Sequence, residues 1–584
     1  MNSDKSIVIV GAGPTGLTAA ILLCLRGYDP VVLDRRPNLV GYPAAHVANT
    51  RSMEVFAEIG VADRVLEQGD GSALSGLVVW VESLAGREYG KLTIQGAALD
   101  DRGPLSAYQS VNIPQTNLEA ILSDRLVELG GTVRFGQEVI AARNISGGAT
   151  VEVRAVADDA LTTMKCDWVL GCDGAGSAVR RSMGIEMEGP QTIARFMTIY
   201  FDADLDLFRK GRRGILYWIG GPEVRGVFIS FDKIGRSWAM LVPVGDLAVE
   251  AFSDAAAVNI VKKAIGSDDV VIELQGVSSW NMSAQVATAY RHGRILLAGD
   301  ACHRFPPTGG LGMNTGIQDA HNLIWKLCAV LEGGADDTLL NTYEEERRPI
   351  ARRNTDQSVN NLMKMAMIDE ALGIQTLAPI AQDAAEGPIA TWPDEVLGID
   401  GNNSEAATKR SAVQHAIDEQ AEHFAQGAGV DLGFTYTTGV LVPDGSEPPS
   451  SEPCDYHPDA HPGSRLPFSS IDGRFEASTL DRVAPQGVTL FALAPAWGSR
   501  AAAASRETGV AVSVVIFGPA GVDLGANAAV LLGISEDGAV AVRPDGHVLW
   551  RTQAHDAGSE IELVRAFRLC GRKPRSERSH LANG

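Results

Sequence analysis

Residues 11–16 read Gly-Ala-Gly-Pro-Thr-Gly, and the spacing of the glycines restricts what they can do. Gly11 permits a tight turn, Gly13 lets backbone approach a phosphate, and Gly16 lets a helix lie close against a strand. A helix opening at Pro14 and Thr15 would aim unpaired N–H groups and the positive end of its dipole at a pyrophosphate. The β-branched run at 6–10 supplies the strand before the turn, and 30–34 supplies the next one. Asp34, 18 residues after Gly16, stands where a carboxylate would accept from ribose hydroxyls. Gly11, Gly13, Pro14, Thr15, Gly16 and Asp34 are therefore the expected contacts of a dinucleotide. One such fingerprint does not say which dinucleotide.

Two later segments narrow the choice. One is Gly171-Cys-Asp173-Gly174-Ala-Gly-Ser177-Ala-Val-Arg180. The other is Gly299-Asp300-Ala-Cys-His303-Arg-Phe-Pro306-Pro307, followed by Gly309-Gly-Leu-Gly312-Met313-Asn314. In this order and spacing the three segments resemble the single-component FAD-dependent aromatic hydroxylases, the class A flavoprotein monooxygenases. The similarity spans essentially the whole chain. It is strongest to the phenol-type branch that contains the 2-hydroxybiphenyl and 2,4-dichlorophenol monooxygenases.

The resemblance implies FAD as bound cofactor, with NADPH or NADH as a transient electron donor. It also implies O2 as co-substrate and a small phenolic substrate, hydroxylated ortho to its hydroxyl through a flavin C(4a)-hydroperoxide. It assigns Asp300 to the ribityl chain or ribose, and Asp173 to both FAD and NAD(P)H. Pro307, Gly309, Gly312, Met313 and Asn314 fall near the pyrimidine edge of the flavin, where a helix N-terminus would stabilise the reduced, anionic ring. Gln115 matches an FAD contact. Arg125, on the same helix, reads equally as a solvated residue.

Many relatives carry an arginine where this chain has Ala44, so either Arg35 or Arg51 takes its place or flavin mobility is controlled differently. His46 matches a histidine placed near the substrate hydroxyl. A base of near-neutral pKa suits phenol deprotonation, because a phenolate ring is richer in electrons than a phenol. The plainer alternative is a histidine that only bonds a neighbouring carbonyl. Some relatives have aspartate at the place of Asn112, so His46 here lacks a carboxylate partner and should be less basic. Pro306 and Trp218 complete the expected substrate contacts. Tyr217 and Trp218 alternate on one strand, so only one ring can face a pocket.

The elements that must position these residues follow from pattern. The expected class is α/β: a Rossmann-like FAD-binding fold with an inserted antiparallel sheet and a C-terminal thioredoxin-like domain. The division expected is 1–190 and 287–373 for the FAD-binding domain with a long helix, and 191–286 for the substrate sheet. A helical linker at 374–444 and the C-terminal domain at 445–584 complete it. Helices are expected at 14–26, 117–129, 315–331 and 344–367. Short alternating strands are expected at 214–219, 226–231 and 237–242, and further strands at 488–494, 510–517, 539–542 and 547–551. The tail has no CxxC, so packing or dimerisation is its expected work rather than redox chemistry.

At 584 residues, several domains are required. A net charge of -22 disfavours nucleic acid as a partner. Seven scattered cysteines, never in CxxC spacing, point to reduced thiols and a cytoplasmic protein. No apolar run reaches the roughly 20 residues of a membrane span. The histidines show no metal-ligand spacing, so no metal is expected, and a homodimer is expected from the resemblance alone. Three other readings fit the motifs. The chain could be a hydroxylase or Baeyer–Villiger monooxygenase of a polycyclic polyketide, a flavin dehydrogenase or reductase, or a non-catalytic nucleotide sensor.

Overall fold

The computed structural model describes residues 5–571, apart from 40, 72–76, 94–98, 101–102, 233–234, 248–251, 375–388, 394–396, 422–426, 451, 472–473, 519–520 and 525–527. Parts of the expected linker and the last residues of the tail thus lie outside the described residues.

The opening apolar run forms the strand Ile7–Val10, whose four side chains are all buried. It is a central strand of a six-stranded sheet. Val31–Asp34 and Trp168–Gly171 flank it in parallel, with Val133–Phe135 outside the first and Ile295–Leu297 outside the second. Arg291–His292 closes one edge antiparallel. A parallel strand covered on both faces has no polar alternation, which is why these segments read as continuous apolar runs. The helix Pro14–Leu25 packs on the helices Gln115–Glu128 and Leu311–Leu331, burying Leu17 through Leu23.

The helix expected to begin at Thr315 begins at Leu311. Gly310 is its N-cap, in the left-handed region at φ 64°. Gly312, Met313 and Asn314 therefore lie in its first turn rather than in a loop before it. Glycine is a poor helix former, and two of them at the start conceal the boundary. Behind it runs Asn341–Leu372, a helix of 32 residues that carries Pro349 within it.

The inserted sheet has seven strands, in the order Glu273–Met282, Ala194–Asp202, Ser237–Pro243, Arg225–Ser230, Leu216–Gly220, Leu77–Val81, Glu88–Thr93. The last two come from far upstream and were not expected from pattern. Leu216–Gly220 pairs with Leu77–Val81 in parallel, and every other pairing is antiparallel. One face packs on the helix Asp254–Ile265 through Met197, Ile199, Tyr217, Phe228 and Trp238. The other face turns toward the domain of the six-stranded sheet, where Asn112 Nδ2 donates to the Ser230 carbonyl and Tyr42 stacks on Tyr200.

The C-terminal sheet runs Val512–Ile516, Val488–Ala492, Ala539–Val542, Val548–Thr552, the first pair parallel and the rest antiparallel. With the helices Ala496–Thr508 and Ser559–Cys570 it makes a βαβ unit followed by a hairpin and a closing helix, the thioredoxin-like arrangement. It is joined to the FAD-binding fold by buried charge. Glu54 meets Arg51 and Arg465, and Glu346 meets Lys326 and Arg543. Burial alone would raise both carboxyls, but Arg465 and Arg51 hold Glu54 at about 2, and Arg543 and Lys326 hold Glu346 at about 2.

Candidate active site

The glycine turn is built as its spacing requires. Gly11 sits at φ 102°, and a Cβ there would come 2.3 Å from the Cys172 carbonyl oxygen. A Cβ on Gly16 would come 2.0 Å from the Gly11 carbonyl oxygen. At Gly13, by contrast, a Cβ would meet only Glu119 Oε1 at 4.0 Å, so the side toward the helix N-terminus is open. This cradle, with first-turn N–H groups facing it, fits the pyrophosphate of FAD. Thr15 is a wedge between elements: Cβ atoms on Gly299 and Gly316 would lie 2.7 and 2.3 Å from its Oγ1. The glycine turn and the Gly299-Asp300 segment are thereby brought together. Asp300 follows the buried Gly299 and is exposed.

Asp34 is buried and surrounded by protein donors. Its Oδ2 accepts from the Ala12 N–H at 2.7 Å, and its Oδ1 from the Arg36 N–H at 2.8 Å and Arg36 Nε at 3.1 Å. Protein donors thus already occupy both oxygens of the carboxylate expected to accept from ribose. Arg36 also donates to Glu119 Oε2 at 2.8 Å, and Gln115 Nε2 donates to Glu119 Oε1 at 2.8 Å. Neither Arg36 nor Glu119 was anticipated. The signal for Glu119 was its place one turn after Gln115 on the inward side of the helix. Arg35 is exposed. Arg51 is buried, donating to Glu54 and to the Asp545 carbonyl, and so does not stand in for an arginine at 44. Arg125 donates to the Ile59 carbonyl and to Glu128.

Asp173 follows the Cys172 backbone that closes over Gly11. Its Oδ2 accepts from the Val179 N–H at 3.1 Å, while its Oδ1 is buried and has no partner among the described residues. Burial pushes this carboxyl up.

The strand Val47–Ala48 carries His46 into the site and pairs with Val111–Asn112. Three sets of bonds fix it. The His46 carbonyl accepts from the Ile113 N–H at 2.7 Å, and Ala45 exchanges backbone and side-chain bonds with Gln115. Asn314 Nδ2 donates to the Val47 carbonyl at 3.0 Å, while its Oδ1 accepts from the Asn49 N–H at 2.9 Å. Asn49 in turn donates to Asp431, which burial pushes up to about 7. The histidine strand and the N-terminus of Leu311–Leu331 are therefore one rigid unit.

The imidazole is oriented from the side. Asn112 Nδ2 donates to the Ser230 carbonyl at 3.1 Å, which turns its Oδ1 to His46 Nδ1 at 2.8 Å. An amide oxygen can only accept, so neutral His46 carries its proton on Nδ1 and keeps the Nε2 lone pair free. Burial lowers the His46 pKa, with the Asn112 contact opposing it. Phe231 stands edge-on to the ring, 6.1 Å between centroids. Pro306 is buried and Pro307 exposed. The loop they start is clamped where Thr308 Oγ1 donates to the Ser358 carbonyl and Asn361 Nδ2 to the Thr308 carbonyl. Gly309, at φ 114°, follows directly.

On the inserted sheet, Tyr217 is core, its hydroxyl donating to the Arg212 carbonyl. Trp218 faces the other way and packs among Val78, Trp80, Tyr89 and Ile368. Its face also carries Leu216, Ile229 and Leu241, all half-exposed, and Tyr200. Trp218 shares that face with the Phe231 end but lies further along the strands from His46.

Residues 4–358 match the FAD binding domain family, and residues 459–571 match the family described as aromatic-ring hydroxylase, C-terminal. The chain is 32% identical over 599 residues to a 2,4-dichlorophenol 6-monooxygenase of Cupriavidus pinatubonensis, covering 99% of this chain and 98% of the relative. It is 31% identical over 574 residues to a putative polyketide hydroxylase of Streptomyces halstedii, covering 95% of each. The crystal structure of the flavin-dependent monooxygenase PieE, in complex with FAD and substrate, superposes with a TM-score of 0.87 at 31% identity, over 97% of this chain and 99% of that one. No helix among the described residues is long and apolar enough to cross a membrane. A cradle only glycines can form, a helix N-terminus joined to an oriented histidine, and full-length likeness to such enzymes converge: the chain belongs to the FAD-dependent aromatic-ring hydroxylases and is a flavoprotein monooxygenase.

Proposed function

We propose that the protein hydroxylates a phenol ortho to its hydroxyl, with His46 as the base that takes the phenol proton. The observation that carries this is the Ser230–Asn112–His46 line, which fixes the tautomer and leaves Nε2 to accept. FAD, when bound, supplies the redox chemistry, taking electrons from NADH or NADPH and delivering them to O2.

The chain's own residues do the rest. Gly11, Gly13, Pro14, Gly16 and the helix they open hold the pyrophosphate. Asp34, Arg35 and Gln115, with Arg36 and Glu119 beside them, would hold FAD, Asp300 its ribityl chain or ribose, and Asp173 would serve both FAD and NAD(P)H. Gly309 and the first turn with Gly312, Met313 and Asn314 would meet the flavin's pyrimidine edge with N–H groups, and Pro307, which has none, would hold the loop rigid beside it. Pro306, Trp218 and the apolar sheet face bound the ring to be hydroxylated and exclude water. Thr15 joins the pyrophosphate contacts at the helix N-terminus and packs that helix on Gly299 and Gly316.

The test is product formation under labelled O2 with phenols, using wild type and His46→Gln. Label in the product and a fall of about 10²–10⁴-fold in kcat/KM for the variant are expected. Unlabelled product, or an unchanged variant, overturns the reading.

A larger, polycyclic phenol is a second reading, favoured by the length of the apolar face. From Phe231 to Val227, beside Trp218, it runs about 13 Å at ~3.3 Å per residue. Comparing kcat/KM for single-ring and fused-ring phenols separates the two. Among the described residues no cysteine is in a disulfide, which supports a place in the reducing cytoplasm. A homodimer is carried over from the resemblance, and light scattering checks it.

A further inference from the structure

The loop before His46 is tied to the inserted sheet through Tyr42 and, more loosely, through the Pro43 carbonyl, and the sheet is shaped to receive it. Tyr42 lies 48% exposed, yet its ring stacks on Tyr200 with centroids 4.4 Å apart and planes 11° from parallel. Its hydroxyl donates to the Gln275 carbonyl at 2.6 Å. That carbonyl is available because the ladder between Ala194–Asp202 and Glu273–Met282 slips there. Tyr200 pairs with Gly276 and Phe201 with Leu274, leaving Gln275 over as a β-bulge. The bulge is pinned in turn by Gln275 Nε2 donating to Asp202 Oδ2 at 2.9 Å. Beside it only glycine leaves room: a Cβ on Gly276 would fall 2.0 Å from the Tyr42 hydroxyl oxygen and 2.4 Å from its Cζ. Tyr200 also donates to the Pro43 carbonyl at 3.4 Å. A bulge, a glycine and an aromatic platform all serve one exposed side chain.

We propose that Tyr42 is the latch of the substrate cleft, holding the segment that precedes Ala45 and His46 closed on the inserted sheet and opening to admit substrate. This rests on the aromatic hydroxylase reading of the site and adds a positioning residue to it. The two ends of the loop are held differently. Ala45 and His46 are bonded to Gln115 and Ile113, and stay with the FAD-binding fold. Tyr42 is bonded to the sheet by one stack and one hydrogen bond, a tie that can open without moving the base. Ala44, which has no side chain beyond Cβ, adds no further tie between them. Unlatching therefore changes access and dryness while leaving His46 in place.

The experiment compares wild type, Tyr42→Ala, Gly276→Ala and the double variant as FAD-loaded protein. Amide hydrogen exchange of residues 41–44 is read first. Each single variant should exchange faster there, with the helix Asp254–Ile265 unchanged, and the double variant should be no faster than Tyr42→Ala. With phenol as probe, the peroxide released per NAD(P)H should rise severalfold and KM should change more than kcat. The pH at which kcat/KM falls should stay where wild type has it. Additive exchange effects, unchanged exchange, or unchanged peroxide in a loop that exchanges faster would overturn the latch. If wild type hydroxylates no phenol, the proposed function fails, and the exchange measurements still decide whether Tyr42 holds the loop.

Discussion

His46 and Asn112 make the sharpest claim at the scale of single residues. The amide in place of a carboxylate gives the imidazole an orienting acceptor without a counter-charge, and burial then lowers its pKa. A lowered pKa keeps the base form present further into acid, so kcat/KM should fall only as pH drops below the ordinary histidine range. Asn112→Asp places a negative charge beside the ring, favours imidazolium, and should move that fall to higher pH by about one unit or more. A pH profile of kcat/KM for both proteins checks the direction, and an unmoved limb removes Asn112 from its orienting role. The sequence disclosed His46 and the alternation of Tyr217 and Trp218, because both depend on local spacing and resemblance. It did not disclose that Asn112 is steered by the Ser230 carbonyl, since that bond joins residues more than a hundred positions apart and leaves no periodic trace.

Elements meet in this fold wherever side chains are missing. The strand end at Gly299, the helix carrying Gly316 and the helix carrying Thr15 approach so closely that a Cβ on Gly316 would lie 3.0 Å from the Gly299 Cα as well as 2.3 Å from Thr15. Gly316→Ala should push the two helices apart, costing about 1–3 kcal/mol by overpacking. It should also weaken retention of FAD, read as thermal midpoint and bound flavin after gel filtration. The parallel strands and most helices were readable because burial on both faces writes continuous apolar runs. The start of Leu311–Leu331 was hidden by its glycines, and Leu77–Val81 was missed because its partner strand lies some 140 residues downstream. Pattern reports what a strand buries, not which strand lies beside it.

Across the whole molecule the C-terminal domain is held by charge rather than by apolar packing alone. Glu54 and Glu346 sit near 2, below the ordinary glutamate value of 4.5, so each stabilises the fold above pH 4.5. That stabilisation, about 3 kcal/mol each from the size of the shift, is lost as pH falls from 4.5 toward 2. Denaturant midpoints measured across that window should drop steeply. Arg465→Leu, which leaves Glu54 buried with Arg51 as its remaining cation, should cost about 3–5 kcal/mol at neutral pH and flatten the slope. The same closure has a bearing on synthesis. The turn at Gly11 packs on Cys172, the helix it opens packs through Thr15 on Gly299 and Gly316, and the helix after Asn49 draws on Arg465 and Asp545. A nascent chain emerging from the ribosome thus displays its nucleotide fingerprint first and can complete the cradle only after residue 316. It can add Arg465 to the Arg51–Glu54 pair only after residue 465, so flavin capture belongs late in the birth of this protein.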